Sequence, residues 1–156
     1  MRLTLIAVGR IAEPFIREAC DLYTERIRRY ARFSLTVVTE ERVSSAGRKP
    51  YILRREGEKI RTRLPGDAVI VALDERGKAL TSEAFARLLE KWSHMGTKEV
   101  AFILGGPYGL EETLRNEADH CLSLSSMTWP HGIARMLLLE QIYRACTLLR
   151  GEPYHK

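Results

Sequence analysis

FILGGPYGLEETL, Phe102–Leu114, runs from a strand-like apolar segment through a glycine-rich turn into a helix-like segment. The turn contains Gly105, Gly106 and Pro107, and Gly109 follows shortly after. Glycine is common in such turns because it adopts backbone conformations that other residues avoid. A glycine turn also brings a ligand close to bare main chain. The segment is therefore a plain connection or part of a binding site, and considered alone it favours the plain connection.

Strand-like and helix-like segments alternate over the whole chain. AVIVALD (Ala68–Asp74) and EVAFILGG (Glu99–Gly106) are apolar throughout, which is typical of strands covered on both faces of a sheet. Helix signals occur around them: Pro14 suits a first helical position, and Thr81 and Gly96 suit the two ends of a helix. The alternation predicts an α/β fold with a mainly parallel sheet flanked by helices.

The remaining elements follow from the same patterns. We expect further strands at Leu3–Gly9, at Ser34–Glu40 and from Asp119, the last fading into a loop by His131. The expected helices are Pro14–Arg32, Tyr51–Leu64, Thr81–Gly96, Leu110–Ala118 and Gly132–Gly151. RVSSAGRKP (Arg42–Pro50) predicts a mobile loop, and ERGK (Glu75–Lys78) predicts a turn.

Length and composition are those of one folded domain, which we expect to span residues 1–156. A hydrophobic content of 45% argues against disorder, and no apolar run approaches the roughly 20 residues that cross a bilayer. The N-terminal apolar run is shorter than a signal-peptide core, so we expect a cytoplasmic protein. Cys20, Cys121 and Cys146 lie far apart without a CxxC pair, which favours buried apolar side chains in a reducing compartment over a disulfide or zinc site.

Positive charge is concentrated in one part of the chain. The net charge is +5, and residues 24–63 contain 12 Lys/Arg against 5 Asp/Glu, whereas the remainder contains 13 against 15. Such a basic segment indicates either a surface that binds a polyanion or the ordinary solvated face of a helix. From charge alone the two interpretations carry equal weight.

The last predicted helix carries more apolar residues than one buried stripe needs. They are Ile133, Met136, Leu137, Leu138, Leu139, Ile142, Tyr143, Cys146, Leu148 and Leu149. A helix on the surface of a monomer needs a single apolar stripe. We therefore expect a second buried side against a partner subunit, and hence a homodimer.

Unusual residues follow three predicted strands at their carboxyl ends, where open α/β sheets bind ligands. These are Leu73 with Asp74, the turn at Gly105–Pro107, and the segment from Ser125 to His131. The chain lacks the P-loop pattern, and GGPYGL does not fit the GxGxxG of dinucleotide-binding folds. In SLSSMTWPH (Ser123–His131), backbone N–H groups before the last helix suit a polar ligand, but a capped helix with a packed tryptophan is the simpler explanation in isolation.

Titratable residues do not identify a reaction. The four histidines form no HxxxH or Cys/His cluster, so we expect no metal, and no nucleophile motif or interpretable carboxylate pair is present. His131 lies where a strand end meets the last helix, a position that suits function, and His155 lies in a short tail that would be frayed on its own. The residues predict a dimeric α/β domain with a small-molecule pocket beside a polyanion surface.

Four segments, in this order, resemble the bacterial ribosomal RNA large-subunit methyltransferase H family, which belongs to the SPOUT class of methyltransferases. They are MRLTLIAVGR, LGGPYGL, LSLSSMTWPHGIARMLLLEQIYRA and the terminal GEPYHK, and the likeness covers essentially the whole chain. The resemblance implies methylation of N3 of a pseudouridine in 23S rRNA, in the stem-loop that reaches the decoding centre, with S-adenosylmethionine as donor. It also implies a dimer, a trefoil knot at the C-terminal end of the sheet, and the whole ribosome as substrate.

The resemblance further implies a donor site on residues at the three strand ends. These residues are Leu73, Gly105, Leu124, Ser125, Ser126, Met127, Thr128 and Trp129. In this interpretation the glycines let the donor lie against bare backbone and main-chain groups contact the adenine edge. Leu73, Leu124 and Met127 would cover the faces of the ring.

The acceptor atom requires a further group, because N3 of pseudouridine carries a proton and is a poor nucleophile until that proton leaves. Our candidates are His155 and Tyr154 in the tail, with His155 taking the proton, and Arg135, which would stabilise an imide anion or a phosphate. If the last helix is buried in a dimer, the tail completes the partner's site. His131 is the second choice as base, and capping of the helix is its alternative role.

Basic residues between Arg26 and Arg63 would then bind rRNA phosphates. Two other functions fit the same residues. A related methyltransferase acting on tRNA or on a ribose hydroxyl would have a similar pocket. A non-catalytic RNA-binding protein of a ribosomal particle would have a similar basic segment, although a vestigial pocket should tolerate bulky residues in place of the glycine turn.

Overall fold

The computed structural model describes residues 1–41 and 49–155. Within these ranges five strands and five helices alternate, which confirms the predicted α/β class. In chain order they are β1 (Arg2–Val8), α1 (Pro14–Arg28), β2 (Arg32–Val38), α2 (Lys49–Arg61), β3 (Ala68–Ala79), α3 (Ser82–His94), β4 (Glu99–Leu104), α4 (Glu112–Glu117), β5 (His120–Ser123) and α5 (His131–Leu149). The loop predicted at Arg42–Pro50 lies outside the described residues as far as residue 48, and its last two residues already belong to α2.

The strands form one parallel sheet in the order β2-β1-β4-β3-β5. Ala7 of β1 pairs with Val37 on one side and with Leu104 on the other, and Leu73 of β3 pairs with Leu104 and Leu122. Because all strands run in the same direction, their carboxyl ends lie along one edge of the sheet. That edge presents the ends of β5, β3, β4, β1 and β2 in succession.

β3 is longer than the sequence predicts, and the turn expected at Glu75–Lys78 is wrong. Leu73 and Lys78 both pair with Leu122, so residues 74–77 bulge out of the ladder. Gly77 permits this close approach, because a β-carbon there would lie 2.5 Å from the carbonyl carbon of Leu122. The pairing of two parts of β3 with one residue of β5 is a tertiary contact, which the turn-like composition of the segment does not reveal.

Helices cover both faces of the sheet. Alternate residues of β1 point to opposite faces: Leu3, Leu5 and Ala7 belong to a core with residues of α1, α3 and α5. Ile6 and Val8 belong to a smaller core with residues of α2 and α4. Burial on both faces explains why β4 and the first half of β3 are so apolar.

Local sequence signals hold in the structure. Thr81 Oγ1 accepts a hydrogen bond of 3.2 Å from the Ala84 N–H and caps α3, and Gly96 follows that helix with φ +80°. Cys20 and Cys146 are buried, Cys121 is half-buried, and all three are free thiols. No helix in the described ranges combines the length and apolar character needed to cross a membrane.

α5 is enclosed along much of its length, because it packs between α1 and α3. Leu138, Leu139 and Ile142 are buried, with exposed fractions of 1% or less. On α1, Phe15 and Leu22 remain 68% and 46% exposed, two helical turns apart and so on one face. The homodimer, the single-domain extent and the knot stay predictions.

Candidate active site

A cavity of about 810 Å³ lies at the carboxyl edge of the sheet, over the ends of β3, β4 and β5. Sites for small organic ligands commonly have volumes of roughly 300–1,000 Å³. The lining residues are Lys49, Leu73, Asp74, Glu75, Leu104, Gly105, Gly106, Pro107, Tyr108, Gly109, Ser123, Leu124, Ser125, Met127, Thr128, Trp129, Pro130, His131 and Ala134. The structure thus brings together the three strand ends that the sequence singled out.

Most of the predicted donor-site residues line this cavity. They are Leu73, Gly105, Leu124, Ser125, Met127, Thr128 and Trp129, whereas Ser126 is outside the lining. Leu73 is buried at the floor, while Met127 and Trp129 are 69% and 41% exposed. Their function in donor binding stays a prediction, but the arrangement provides apolar surface from both the floor and the rim.

The loop after β5 is shaped by its own serines. Ser123 Oγ donates to the Ser125 carbonyl over 2.7 Å, and Ser125 Oγ accepts from the Met127 N–H over 2.9 Å. These short-range bonds are the usual way in which serine stabilises a turn. They hold the loop in a conformation that leaves Met127 and Trp129 at the cavity mouth.

The glycine turn has a structural explanation that the sequence left open. A β-carbon on Gly105 would collide with the carbonyl of Gly109, and one on Gly106 would lie 3.0 Å from Val8 Cγ1 and 3.2 Å from Glu56 Oε2. The missing side chains therefore serve first the close packing of the turn on itself and on β1. Both glycines nevertheless line the cavity, so any ligand there meets their main chain.

Two carboxylates on the β3 bulge line the cavity, and they have different hydrogen-bond partners. Asp74 pairs with Arg76, whose Nε lies 2.7 Å from Oδ1, and this hydrogen bond holds the pKa of Asp74 below its ordinary value. Glu75 is exposed, and its Oε2 accepts a hydrogen bond of 3.0 Å from Thr128 Oγ1 on the loop after β5. Asp74 is thus paired with an arginine, whereas Glu75 links the β3 bulge to the loop after β5.

Arg135 does not line the cavity, although the sequence suggested it as a group that stabilises an anion. Its side chain is buried with 2% exposed, and Nη2 donates to the carbonyls of Val8 and Gly9 over 2.9 and 2.8 Å. Burial lowers the pKa of the guanidinium. These contacts are those of a positioning residue that ties α5 to the end of β1, and a catalytic function for Arg135 stays a prediction.

The tail residues Tyr154 and His155 also lie outside the cavity lining of their own chain. His155 Nε2 lies 2.7 Å from Glu83 Oε1, and its Nδ1 lies 3.2 Å from an Arg144 nitrogen. The Tyr154 hydroxyl donates to Glu140 Oε1 over 3.1 Å. The tail is therefore docked on α3 and α5 rather than frayed, which the sequence alone did not indicate.

His131 is the histidine that lines the cavity. Its Nε2 lies 3.6 Å from the point that a β-carbon of Gly9 would occupy, and Glu40 Oε2 lies 3.1 Å from the same point. Sequence reasoning missed Gly9, Glu40 and Lys49 as neighbours of the site. The available signal was a glycine directly after the first predicted strand; in the structure Gly9 follows β1 with φ +79°, at the edge where the other strand ends meet.

Comparison with known proteins agrees with this geometry. Residues 1–155 match the family described as "Predicted SPOUT methyltransferase". Ribosomal RNA large subunit methyltransferase H of Acetivibrio thermocellus is 40% identical over the full length of both chains. The proteins of the same name from Bifidobacterium adolescentis and Syntrophotalea carbinolica are each 40% identical over 100% and 99% of both chains, respectively.

Solved structures show the same fold at low identity. The tRNA (m1G37) methyltransferase of Aquifex aeolicus matches with a TM-score of 0.57 at 14% identity, over 100% of this chain and 74% of the other. A probable methylase family protein of Haemophilus influenzae matches with a TM-score of 0.55 at 12% identity, over 99% and 70%. Fold, full-length identity and family match together place the chain in the ribosomal RNA large subunit methyltransferase H family of SPOUT methyltransferases.

Proposed function

We propose that this methyltransferase transfers a methyl group from S-adenosylmethionine to N3 of a pseudouridine in 23S rRNA, in the inter-subunit stem-loop at the decoding centre of assembled ribosomes. The observation that carries the proposal is the cavity over the ends of β3, β4 and β5, which seven predicted donor-site residues line. The names of the full-length relatives, which specify large-subunit rRNA, support the choice of substrate.

The cavity lining suits an adenosine-containing ligand. Leu73, Leu124 and Met127 offer apolar surface for the faces of a purine ring, and the backbone of the Gly105–Gly106 turn offers polar groups for its edge. Glu75 places a carboxylate in the same cavity. A negative charge there suits a ligand that carries positive charge on sulfur and on its amino group.

The reaction needs one proton transfer and one displacement. When bound, S-adenosylmethionine supplies a methyl group carried on a sulfonium. The acceptor loses its N3 proton to a base of the protein, its nitrogen electron pair forms the bond to the methyl carbon, and the electrons of the broken S–C bond remain on sulfur. The protein contributes mainly by holding donor and acceptor in line at contact distance.

We assign the base to His155, with Tyr154 beside it, acting on the cavity of a second copy. In its own chain the tail contacts Glu83, Glu140 and Arg144 and stays outside the cavity lining. A homodimer through α5 is the arrangement that would bring one tail to the other cavity. The exposed Phe15 and Leu22 on the neighbouring helix α1 offer apolar surface for such an interface.

The basic segment supplies contacts to rRNA phosphates. Arg28, Arg29 and Arg63 are exposed, and they form no ion pair within the described residues. Lys59 and Arg61 form ion pairs with Glu41 and Glu111, respectively, and are therefore less available for contacts with phosphates. Phosphate contacts of this kind add affinity without selecting a base, so the choice of nucleotide rests on the cavity and on the shape of the ribosome.

The test is methyl transfer from labelled S-adenosylmethionine to ribosomes that lack the modification, with unmodified tRNA as the competing substrate. We expect label in 23S rRNA and none in tRNA, and more label with joined ribosomes than with free large subunits. Donor binding is measured separately, by calorimetry. Donor binding without label in 23S rRNA, or label in tRNA alone, would contradict the proposed substrate.

A further inference from the structure

The carboxyl edge of the sheet continues beyond the three strand ends that hold the predicted donor site. β1 lies next to β4, and neighbouring strands are about 4.8 Å apart. His131 lines the cavity and also reaches the end of β1, since its Nε2 lies 3.6 Å from the point of a Gly9 β-carbon. The cavity therefore borders the end of β1, on the side of β4 away from Leu73 and Leu124.

The end of β1 contacts α5, the helix that carries His131. Arg135 follows His131 by one helical turn, so both side chains leave the same face of α5. Arg135 donates to the carbonyls of Val8 and Gly9, and its buried guanidinium forms no ion pair within the described residues. A buried cation without a counter-charge is costly, and its field favours negative charge nearby.

We propose that the part of the cavity beside His131, next to the end of β1, is the subsite for the acceptor base, with His131 as a catalytic residue that donates a hydrogen bond to a carbonyl oxygen beside N3. Beside Gly9 itself a β-carbon would already meet Glu40 and His131, so the base lies on the cavity side of the imidazole. Arg135 is a positioning residue whose charge favours an anion there. This inference rests on the proposed function. N3 lies between two ring carbonyls, so loss of its proton moves negative charge onto their oxygens, and a donor at one of them stabilises the anion. In this arrangement His155 accepts the N3 proton, and His131 stabilises the negative charge that develops on the carbonyl oxygen.

Other charged and titratable side chains face the same space. Glu40 ends beside Gly9, and Lys49, Asp74, Glu75 and Tyr108 line the cavity. The negative charge of Asp74 is compensated by its ion pair with Arg76. Lys49 favours an anion, whereas Glu40 opposes one, so a role of His131 must be separated from theirs by a variant at His131 itself.

The test compares His131→Asn with wild type and with His94→Asn, a matched control at the exposed end of α3. Donor affinity is measured by calorimetry, and single-turnover methyl transfer to ribosomes is measured across a range of pH. We expect His131→Asn to bind the donor within about threefold of wild type and to transfer methyl about 100-fold more slowly, as loss of an oxyanion donor does. The deficit should shrink as pH rises, because the acceptor then loses its N3 proton unaided.

Each other outcome overturns the inference. A transfer rate near that of wild type means that His131 does not contact the acceptor. Loss of donor affinity equal to the loss of rate means that His131 belongs to the donor site, and a deficit that is constant with pH means that it stabilises no anion. If wild-type protein binds donor but labels no rRNA, the proposed function fails and the inference fails with it, whereas failure at His131 in an active wild-type system leaves the proposed function standing.

Discussion

Thr128 Oγ1 donates a hydrogen bond of 3.0 Å to Glu75 Oε2, and this bond joins two walls of the cavity that lie 53 residues apart in sequence. One wall is the bulge of β3 and the other is the loop after β5. A bond across the mouth of the cavity restrains the loop that carries Met127 and Trp129. The shape of the cavity mouth thus depends on a contact between residues far apart in the chain.

Removing this bond should weaken donor binding. Thr128→Val keeps the shape of the side chain but loses the hydroxyl, so we expect the S-adenosylmethionine dissociation constant to rise about 2- to 10-fold, the usual net value of one hydrogen bond. Calorimetry measures the change. Thr62→Val is the control, since among the described residues the Thr62 hydroxyl bonds only to the Lys59 carbonyl in the last turn of the preceding helix α2. Unchanged or tighter binding by Thr128→Val would contradict a restraining bond.

The glycine turn should not accept even one methyl group. Gly105→Ala places a β-carbon against the Gly109 carbonyl, so the turn must open, and we expect a lower melting temperature and loss of donor binding. Gly66→Ala is the matched control, because nothing lies within 4 Å of a β-carbon there. Thermal unfolding and calorimetry measure both variants. Wild-type donor affinity in Gly105→Ala would show that the turn is not part of the site.

The tail should act across the dimer. His155→Ala is expected to keep donor binding and lose most methyl transfer, because the proposed base is gone. Mixing this variant with Gly105→Ala under subunit exchange should restore activity, since one of the two composite sites then has an intact cavity and an intact tail. If the mixed dimers were inactive, each active site would use the cavity and the tail of the same chain. Near-normal turnover by His155→Ala alone would remove the tail from the mechanism.

The hydrogen bonds of Glu83 at the start of α3, one of them to the tail, give a defined pH dependence. Hydrogen bonds from its own backbone N–H, from Thr81 and from His155 lower the pKa of Glu83 from 4.5 to about 2. A carboxylate whose pKa is lower in the folded state stabilises that state above the unfolded pKa, and the contribution disappears as pH falls from 4.5 towards 2.

The comparison of wild type with Glu83→Gln tests this dependence. The difference in melting temperature should be constant above pH 4.5 and should close as pH approaches 2. Glu90→Gln, at an exposed position on the same helix, should show no such trend. A difference that widens on acidification would mean that Glu83 does not stabilise the folded state as a carboxylate.

The basic segment should make ribosome binding sensitive to salt. Arg28→Gln and Arg29→Gln are each expected to weaken binding at low salt and to reduce the slope of log K against log salt by about one. Filter binding at several salt concentrations measures the slope, and Arg87→Gln on the exposed face of α3 is the control. Equal slopes for wild type and both variants would assign these arginines to the solvated face of a helix.

Most elements were predictable from sequence because their signals are local, although the end of β3 was not. Apolar runs such as Val100–Leu104, the cap at Thr81 and the glycine at 96 each act within a few residues. The meeting of three strand ends followed from a general property of parallel sheets. The three strand ends could therefore be placed at one edge from the sequence, whereas the choice of eight donor-site residues there followed from the family resemblance.

Long-range contacts explain what the sequence did not predict. The strand order, the pairing of both Leu73 and Lys78 with Leu122, and the docking of His155 on Glu83 all join residues far apart in the chain. Arg135 looked available for a ligand because helix position alone does not show that its guanidinium is buried against Val8 and Gly9. The knot implied by the family resemblance has no signature in residue patterns either.

Mapping of the methylated nucleotide tests donor, substrate and reaction in one experiment. Ribosomes that lack the modification are incubated with the protein and labelled S-adenosylmethionine, and the labelled nucleotide is isolated from the RNA and identified by mass spectrometry. We predict label at N3 of one pseudouridine in 23S rRNA, in the stem-loop at the decoding centre. Label on a ribose hydroxyl or on a different nucleotide, or no label from protein that binds the donor, would contradict the account.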